Sequence, residues 1–189
     1  VLTVTSGDLT EATVGPATLT FTNANWNTPQ TVTVTGVDDP LADGNQTSLV
    51  TVAVDDAASD NAFDPVADQT VSVTTVDNDT AGFTIAESGG NTSVNESGST
   101  DTFTVVLNAQ PLTNVVLTVT SGDLTEATVG PATLTFTNAN WNVAQTVTVT
   151  GVDDALDDGD VLSTVTLAVV DASSDDTFDP VANQTVSVT

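Results

Sequence analysis

The sequence predicts an all-β protein made of tandem antiparallel β-sandwich repeats of about 115 residues, and three observations carry that expectation. Residues 1–74 align without a gap to residues 116–189, with 60 of 74 positions identical. Nearly every apolar segment alternates with period two, with Thr, Ser or Ala at the intervening positions, the pattern of half-buried strands. The breaks between segments are written in Gly, Pro, Asn and Asp, the residues that make turns.

The repeat sets the domain organisation. The run VLTVTSGDLTEATVGPATLTFTNANWN occupies Val1–Asn27 and returns unchanged at Val116–Asn142, an offset of 115 residues. That period is too long for a solenoid repeat and normal for a domain, so the expectation is beads on a string. Residues 75–115 occur once. The chain is therefore expected to hold a partial sandwich over 1–74 that lacks its first strands, an acidic linker over 75–80, and a complete sandwich over 81–189.

Each strand of the complete repeat follows from its alternation. Phe83 and Ile85 share one face of a short opening strand, and Phe103, Val105 and Leu107 line the next. Leu117 with Val119, Leu134 with Phe136, and Val147 with Val149 follow in the same rhythm. Val165, Leu167 and Val169 make the longest alternating run, and Val186 with Val188 closes the unit. The interleaved Thr residues are β-branched and suit the outer face of a pleated sheet. About seven short strands in a unit of this length indicate a β-sandwich. Trp141 follows the Asn-rich turn TNAN and is expected to plug one end of the core, with Trp26 doing the same in the first copy. The first copy, lacking counterparts of residues 82–115, is expected to leave apolar faces and strand edges open.

Composition narrows function. The chain has no Lys, Arg, His, Cys, Met or Tyr against 26 Asp plus Glu, a formal charge of −26. Binding to nucleic acid or to anionic lipid rests on Lys and Arg, so neither is expected as a partner. No apolar run approaches the ~18 residues of a membrane span, so no membrane insertion is expected. No disulfide framework is possible without Cys. With 39% hydrophobic residues the chain still has enough apolar surface to fold. An enzyme would need a nucleophile, a base or a cofactor site, and with no His, Lys, Cys, Tyr or Arg to serve, a carboxylate pair is the arrangement that remains. The acidic pairs are adjacent in turns and return with the repeat, whereas a glycosidase pair would be singular.

The carboxylates concentrate in turns: GVDDPLADGN around Asp38, VDDAASDNAFDP around Asp56, and VDND at Asp77 and Asp79. Like charges a few ångströms apart repel by ~1–4 kcal/mol per pair. Two readings remain open, the solvated turns of an acidic, salt-adapted surface, or the recruitment of Ca²⁺, which takes six to eight oxygen ligands from flexible Asp-rich turns. An up-and-down course puts alternate turns at the same end. Glu96, Glu126, Asp153 and Asp154, followed by Asp157, Asp158 and Asp160, then share the C-terminal end of the second unit. Glu11, Asp38, Asp39, Asp43, Asp77 and Asp79 share the corresponding end of the first. Asp171, Asp175, Asp176 and Asp179 fall at the opposite end of the second unit and are expected to face the first copy across the linker.

Written as V-N-E-S-G, FTVVL, EATVGPATLTF, QTVTVTGVDD and VSVTTVDND, the unit resembles a Calx-beta-type, Ig-like sandwich over its whole length. The resemblance implies that Glu96, Glu126, Asp153 with Asp154, and Asp77 with Asp79 bind Ca²⁺ at the distal end. The chain departs from the family where Glu126 replaces an Asp-aromatic pair and where Asp157, Asp158 and Asp160 stand in place of glutamates. The near-identical Thr/Asp/Val-rich repeats are also similar to the extender regions of giant bacterial surface adhesins of the repeats-in-toxin type. The expected function is a structural spacer of a long extracellular cell-surface protein, stiffened by Ca²⁺ between repeats, with adjacent repeats as partners. The alternative is a segment of an extracellular filament completed by strands from a neighbouring copy. A chain without Lys or Arg offers trypsin no site, which suits an extracellular address.

Overall fold

The computed structural model describes residues 1–155 and 159–189 and divides them into two compact units, one of Val1–Asp39 with Asp43–Asn78, the other of Pro40–Ala42 with Asp79–Thr189. The division between Asn78 and Asp79 falls inside the acidic segment 75–80.

Unit 1 contains β1 (Leu2–Ser6), β2 (Ala12–Gly15), β3 (Thr18–Leu19), β4 (Thr33–Gly36), β5 (Gln46–Val54) and β6 (Gln69–Thr75). They form a four-stranded sheet in the order β3-β1-β5-β6 and a separate pair, β2-β4. Unit 2 contains β7 (Phe83–Glu87), β8 (Thr100–Leu107), β9 (Val115–Ser121), β10 (Ala127–Gly130), β11 (Thr133–Phe136), β12 (Gln145–Gly151), β13 (Ser163–Val169) and β14 (Gln184–Val188). Its two four-stranded sheets run β10-β12-β8-β7 and β11-β9-β13-β14. All of these strand pairings are antiparallel, and the only helical pieces among the described residues are three short 3-10 turns. The fold is an all-β sandwich.

The complete unit has eight strands among the described residues, one beyond the seven that alternation reveals. The additional one is β10, whose ATVG offers only Ala127 and Val129 as apolar alternates. β10 and β11 lie in different sheets, with the cis Gly130–Pro131 bond between them.

The two units read the same residues with different results. The first sheet of unit 1 reproduces the β11-β9-β13-β14 sheet of unit 2 at the repeat offset, and β2-β4 pairs Val14 with Val34 as β10-β12 pairs Val129 with Val149. Yet β12 goes on to pair with β8, placing Val147 opposite Phe103, while among the described residues β4 pairs with β2 alone. The core of unit 2 consequently closes around Phe103, Phe136, Phe178, Leu117, Val147 and Val165, all fully buried. In unit 1 only Val4, Leu19 and Val50 form the buried cluster. Val34 is 38% exposed where Val149 is 0%, and Phe63 is 60% exposed where Phe178 is 0%. Burying a side chain of this size is worth roughly 1.5–3 kcal/mol, and unit 1 forgoes that term at both positions.

Trp26 corrects an expectation. Trp141 is partly buried against the core of unit 2, with its carbonyl accepting from the Leu107 N–H at 3.1 Å. Trp26 is 70% exposed. The turn itself folds alike in both copies, Asn25 taking the Thr22 N–H and Asn140 the Thr137 N–H. Among the described residues unit 1 has no strand equivalent to β8, whose Leu107 N–H bonds the Trp141 carbonyl in unit 2.

Candidate metal centre

The acidic end of unit 1 is built from three turns. The turn after β1 carries Glu11, whose carbonyl accepts from the Val37 N–H at 2.8 Å and the Thr75 hydroxyl at 3.0 Å. Those two bonds tie the turn to the ends of β4 and β6. The turn after β4 carries Asp38, Asp39 and Asp43. Asp77, just beyond β6, accepts from the Gly44 N–H at 2.7 Å while its own N–H donates to Asn45 Oδ1 at 3.0 Å. Gly44 holds φ of 75°, the left-handed conformation that glycine adopts without steric cost. Glu11, Asp39, Asp43 and Asp77 thereby line one recess of about 20 Å³ together with Gly44 and Asn78.

The electrostatics of that recess converge on Glu11. Its carboxyl is held above the usual glutamate value, first by loss of hydration and then by the negative charges of Asp43, Asp39, Asp8 and Asp77. Asp38 stands outside the lining of this recess and borders a wider cleft between β4 and β6, lined also by Val34, Gly36 and Val73.

In unit 2 the corresponding end gathers Glu96, Glu126 and Asp160 around a recess of about 440 Å³. The Glu126 carbonyl accepts from the Val152 N–H at 2.9 Å, the same bond that Glu11 makes with Val37. Asp153 and Asp154 are exposed in the turn after β12 and stand outside the lining of this recess, and Asp79 is half-buried at the start of the unit. Asp157 and Asp158 lie outside the described residues. Ser163 also lines the recess; it is only 5% exposed, and its hydroxyl has no hydrogen-bond partner among the described residues. Ser48, its counterpart in unit 1, is likewise buried with an unpartnered hydroxyl. A buried hydroxyl left unpaired costs about 1–3 kcal/mol, so both positions would gain from a ligand or a water.

The donors fit a hard cation in kind, being carboxylate, hydroxyl and carbonyl oxygens. Among the described residues, however, no three carboxylates stand close enough to hold a metal ion together. The structure brings Glu11, Asp39, Asp43 and Asp77 to one recess and Glu96, Glu126 and Asp160 to another, leaves Asp38, Asp79, Asp153 and Asp154 outside both, and closes no ligand shell among the described residues.

Several other carboxylates serve the fold directly. Asp123 Oδ1 takes the Thr125 N–H at 2.9 Å as well as its hydroxyl, and Asp8 does the same with Thr10. These are Asx-type turns, and the carboxyls of Asp8 and Asp123 lie below the usual aspartate value because of them. Asp101 is held low by the Ser88 hydroxyl, with the Ser93 and Thr102 N–H groups adding to it. Asp175, expected as a carboxylate facing the other copy, is instead an internal acceptor. It is 5% exposed and bonds the Thr113 N–H at 2.8 Å and the Thr177 hydroxyl at 2.8 Å. Burial pushes its carboxyl up, and these hydrogen bonds together outweigh burial and leave it low. The recurring Asp-x-Thr spacing is the signal that marks these roles in the sequence. Asp179 goes the other way, raised by loss of hydration and by Asp171, Asp176 and Asp175.

No protein-family model and no curated protein matches the chain. Among solved structures it is similar to domains 4 and 5 of the S-layer protein SbsC, at 21% identity and a TM-score of 0.40, over 99% of this chain and 68% of that one. A structure of SbsC domains 4–9 gives 22% identity and a TM-score of 0.40 over 99% of this chain and 21% of that one. SSP-19, an MSP-domain-like protein of Caenorhabditis elegans, gives 16% identity and a TM-score of 0.37 over 55% of this chain and 94% of that one. These likenesses are low in identity and in TM-score, and the fold rests on the strand pairings described above.

Proposed function

We propose that the chain is a structural spacer of a long extracellular cell-surface protein of the adhesin type, assembled from Calx-beta-like sandwiches, with no catalytic role. The observation that carries this reading is the repetition itself: 60 of 74 residues recur at a fixed offset, and both copies build the same four-stranded sheet. Repetition adds reach without needing any unique site, whereas catalysis or specific recognition needs one. The absence of His, Cys, Lys, Arg and Tyr from the sequence leaves carboxylates as the only side chains that could act as a base toward the Ser and Thr hydroxyls.

The acidic end of each unit is proposed to recruit Ca²⁺. Glu11, Asp39, Asp43 and Asp77 would supply the carboxylates in unit 1, and Glu96, Glu126 and Asp160 in unit 2, with Asp38, Asp79, Asp153 and Asp154 in the adjoining turns. Support comes from the loss of hydration, with the repulsion of Asp43, Asp39, Asp8 and Asp77 added to it, that holds the Glu11 carboxyl high, and from the unpartnered Ser163 hydroxyl that lines the same recess as Glu126. Bound Ca²⁺ would offset the repulsion and stiffen the array.

Thermal unfolding in EDTA, then across a Ca²⁺ titration with a Mg²⁺ control, tests this. A ligand of the native state alone adds about 4 kcal/mol at a thousandfold excess over Kd. A Ca²⁺-selective rise in Tm that is lost in a variant carrying Glu11→Gln, Asp39→Asn, Asp43→Asn and Asp77→Asn is expected for unit 1. A melt indifferent to Ca²⁺ would remove the metal and leave a plain acidic spacer.

A further inference from the structure

We propose that the Asp179–Pro180 bond is a self-cleavage site, at which the Asp179 carboxyl group attacks its own carbonyl carbon and severs the chain with water as the only other reactant. The site shares no residue with the acidic recesses and needs no cation.

The bond sits at the centre of a closed turn. The Val181 N–H donates to the Phe178 carbonyl at 3.0 Å, which makes Asp179 and Pro180 the two middle residues. The turn is anchored from within: Phe178 is fully buried, and its N–H donates to the Asp175 carbonyl at 2.9 Å. The Asp175 carboxylate in turn takes the Thr113 and Thr177 N–H groups. Asp8, Asp123 and Asp175 all engage side-chain oxygens in such bonds. Asp179 differs, because its Oδ1 is shut off from solvent and has no hydrogen-bond partner among the described residues. A shielded polar atom without a partner calls for a reason, and reactivity is one.

The chemistry needs no second group. Attack by an aspartate side-chain oxygen on its own carbonyl carbon closes a five-membered ring, so the chain itself holds the reactants together. Pro supplies the leaving group, a tertiary amide nitrogen that accepts a proton more readily than an ordinary peptide nitrogen does. The proton of the neutral carboxyl passes to Pro180 N, the side-chain oxygen bonds to the Asp179 carbonyl carbon, and the C–N bond breaks. A cyclic anhydride remains on Asp179 and a secondary amine on Pro180. Water then opens the anhydride to two carboxyls, and the sum is hydrolysis of one peptide bond.

The step requires a neutral carboxyl in a folded turn. Loss of hydration, then the negative charges of Asp171, Asp176 and Asp175, hold the Asp179 carboxyl above its usual value of 3.8. Residues 108–114, the turn between β8 and β9 that meets Asp175 through Thr113, carry no titratable side chain, and the sequence has no Lys, Arg or His to oppose those charges. Asp175 lies below the same value, so it stays ionised and keeps Thr113 and Thr177 in place at a pH where Asp179 is already neutral. The cut also leaves the fold standing, since β14 pairs with β13 over Gln184–Val188 and buries Val186 and Val188. A covalent joint is thereby replaced by one held through strand pairing.

The test incubates the full chain in EDTA at about pH 4, 5 and 7, values that span the titration of a raised aspartate. Cut sites are read by mass spectrometry and N-terminal sequencing after denaturation. Asp64–Pro65 is the internal reference: it lies in the same F-D-P-V-A sequence and the same turn, the Val66 N–H donating to the Phe63 carbonyl at 2.9 Å, with Asp64 exposed. In native solution at the two acidic values, fragments 1–179 and 180–189 should form about tenfold faster than those cut at Asp64–Pro65 or Asp39–Pro40, and cleavage should fall away at pH 7. In denaturant the three bonds should be cut at similar rates. Asp179→Asn should abolish the native cut while melting like the parent. Asp176→Asn removes one of the charges that keep Asp179 neutral and should slow the cut more at pH 5 than at pH 4. Equal cutting of the three bonds in native solution, a bond cut only in denaturant, a cut that survives Asp179→Asn, or an Asp176→Asn rate equal to the parent's at pH 5 would each overturn the proposal.

Discussion

Gly151 lies directly beneath the carbonyl of Asn95, so close that a Cβ added there would stand 2.1 Å from its oxygen. The contact is the seat on which the V-N-E-S-G turn rests, and both partners are backbone, so neither can swing aside. Gly151→Ala must push the turn off the end of the sandwich, at a cost of about 1–3 kcal/mol for overpacking. Gly36→Ala, at the same position of the repeat, meets only ordinary contact and should leave unit 1 unchanged or slightly more stable, since Gly in a strand is disfavoured by roughly 0.5–1 kcal/mol. Chemical denaturation followed by amide exchange in each unit separates the two effects.

Phe178 and Phe63 make a second matched pair. Phe178 is fully buried in the core of unit 2 and Phe63 is 60% exposed, although both sit in the same F-D-P-V-A sequence. Phe178→Ala is expected to cost ~3–5 kcal/mol, the range for emptying an aromatic site in a packed core. Phe63→Ala should stay within about 0.5 kcal/mol, as for other surface substitutions. Comparable losses at the two positions would mean that unit 1 is closed in solution.

That contrast also shows how far the sequence could be read. The period-two runs identified seven of the eight strands because Val, Leu and Phe alternate with Thr over five or more residues, and β10 escaped because two small alternates in four residues carry little signal. Strand order alone groups Glu11, Asp38, Asp39, Asp43, Asp77 and Asp79 at one end, since alternate turns fall together; of these, Glu11, Asp39, Asp43 and Asp77 line one recess, and Asp38 and Asp79 do not. Exposure does not follow from strand order. Trp26 and Trp141 have identical neighbours from Leu19 to Asn27 and from Leu134 to Asn142, and they differ because residues 82–107 cover only one of them. Burial is a property of the long-range partner, and the local sequence does not contain it. Asp175 was hidden for a related reason: an acid in an acidic turn reads as solvated until the Thr113 N–H is seen to point at it.

Asp175→Ala should destabilise unit 2 by about 1–3 kcal/mol, because the N–H groups of Thr113 and Thr177 lose their acceptor at a buried position. Its counterpart Asp60 is exposed, its carboxylate accepting the Ala62 N–H at 2.9 Å, so Asp60→Ala should cost below about 1 kcal/mol. The pH dependence has a definite sign. The Asp175 carboxyl lies below its usual value of 3.8, so its contribution is present above that pH and is lost as pH falls through the lowered value. Asn in its place keeps one acceptor oxygen and should remove part of that acid sensitivity, read as a smaller drop in the unit 2 transition between neutral and strongly acidic solution.

Glu11 carries the opposite sign. Burial and the surrounding Asp43, Asp39, Asp8 and Asp77 hold its carboxyl above the usual value of 4.5, so the folded unit binds that proton more tightly than the unfolded chain does. Its contribution is full below pH 4.5 and is lost as pH rises through the raised value. At neutral pH, Glu11 is therefore a charge that the fold tolerates at a cost, and Glu11→Gln should stabilise unit 1 in EDTA and flatten its decline with pH just above 4.5. A cation in the recess relieves the same repulsion by supplying positive charge, and it requires the carboxylate that the substitution removes. The two remedies should thus exclude one another. With Ca²⁺ present the parent chain should overtake Glu11→Gln, and the order of their melting temperatures should reverse between EDTA and saturating Ca²⁺. If Glu11→Gln stabilises equally in both solutions, the acidic end is a repulsive surface without a cation, and the recess has no ligand role.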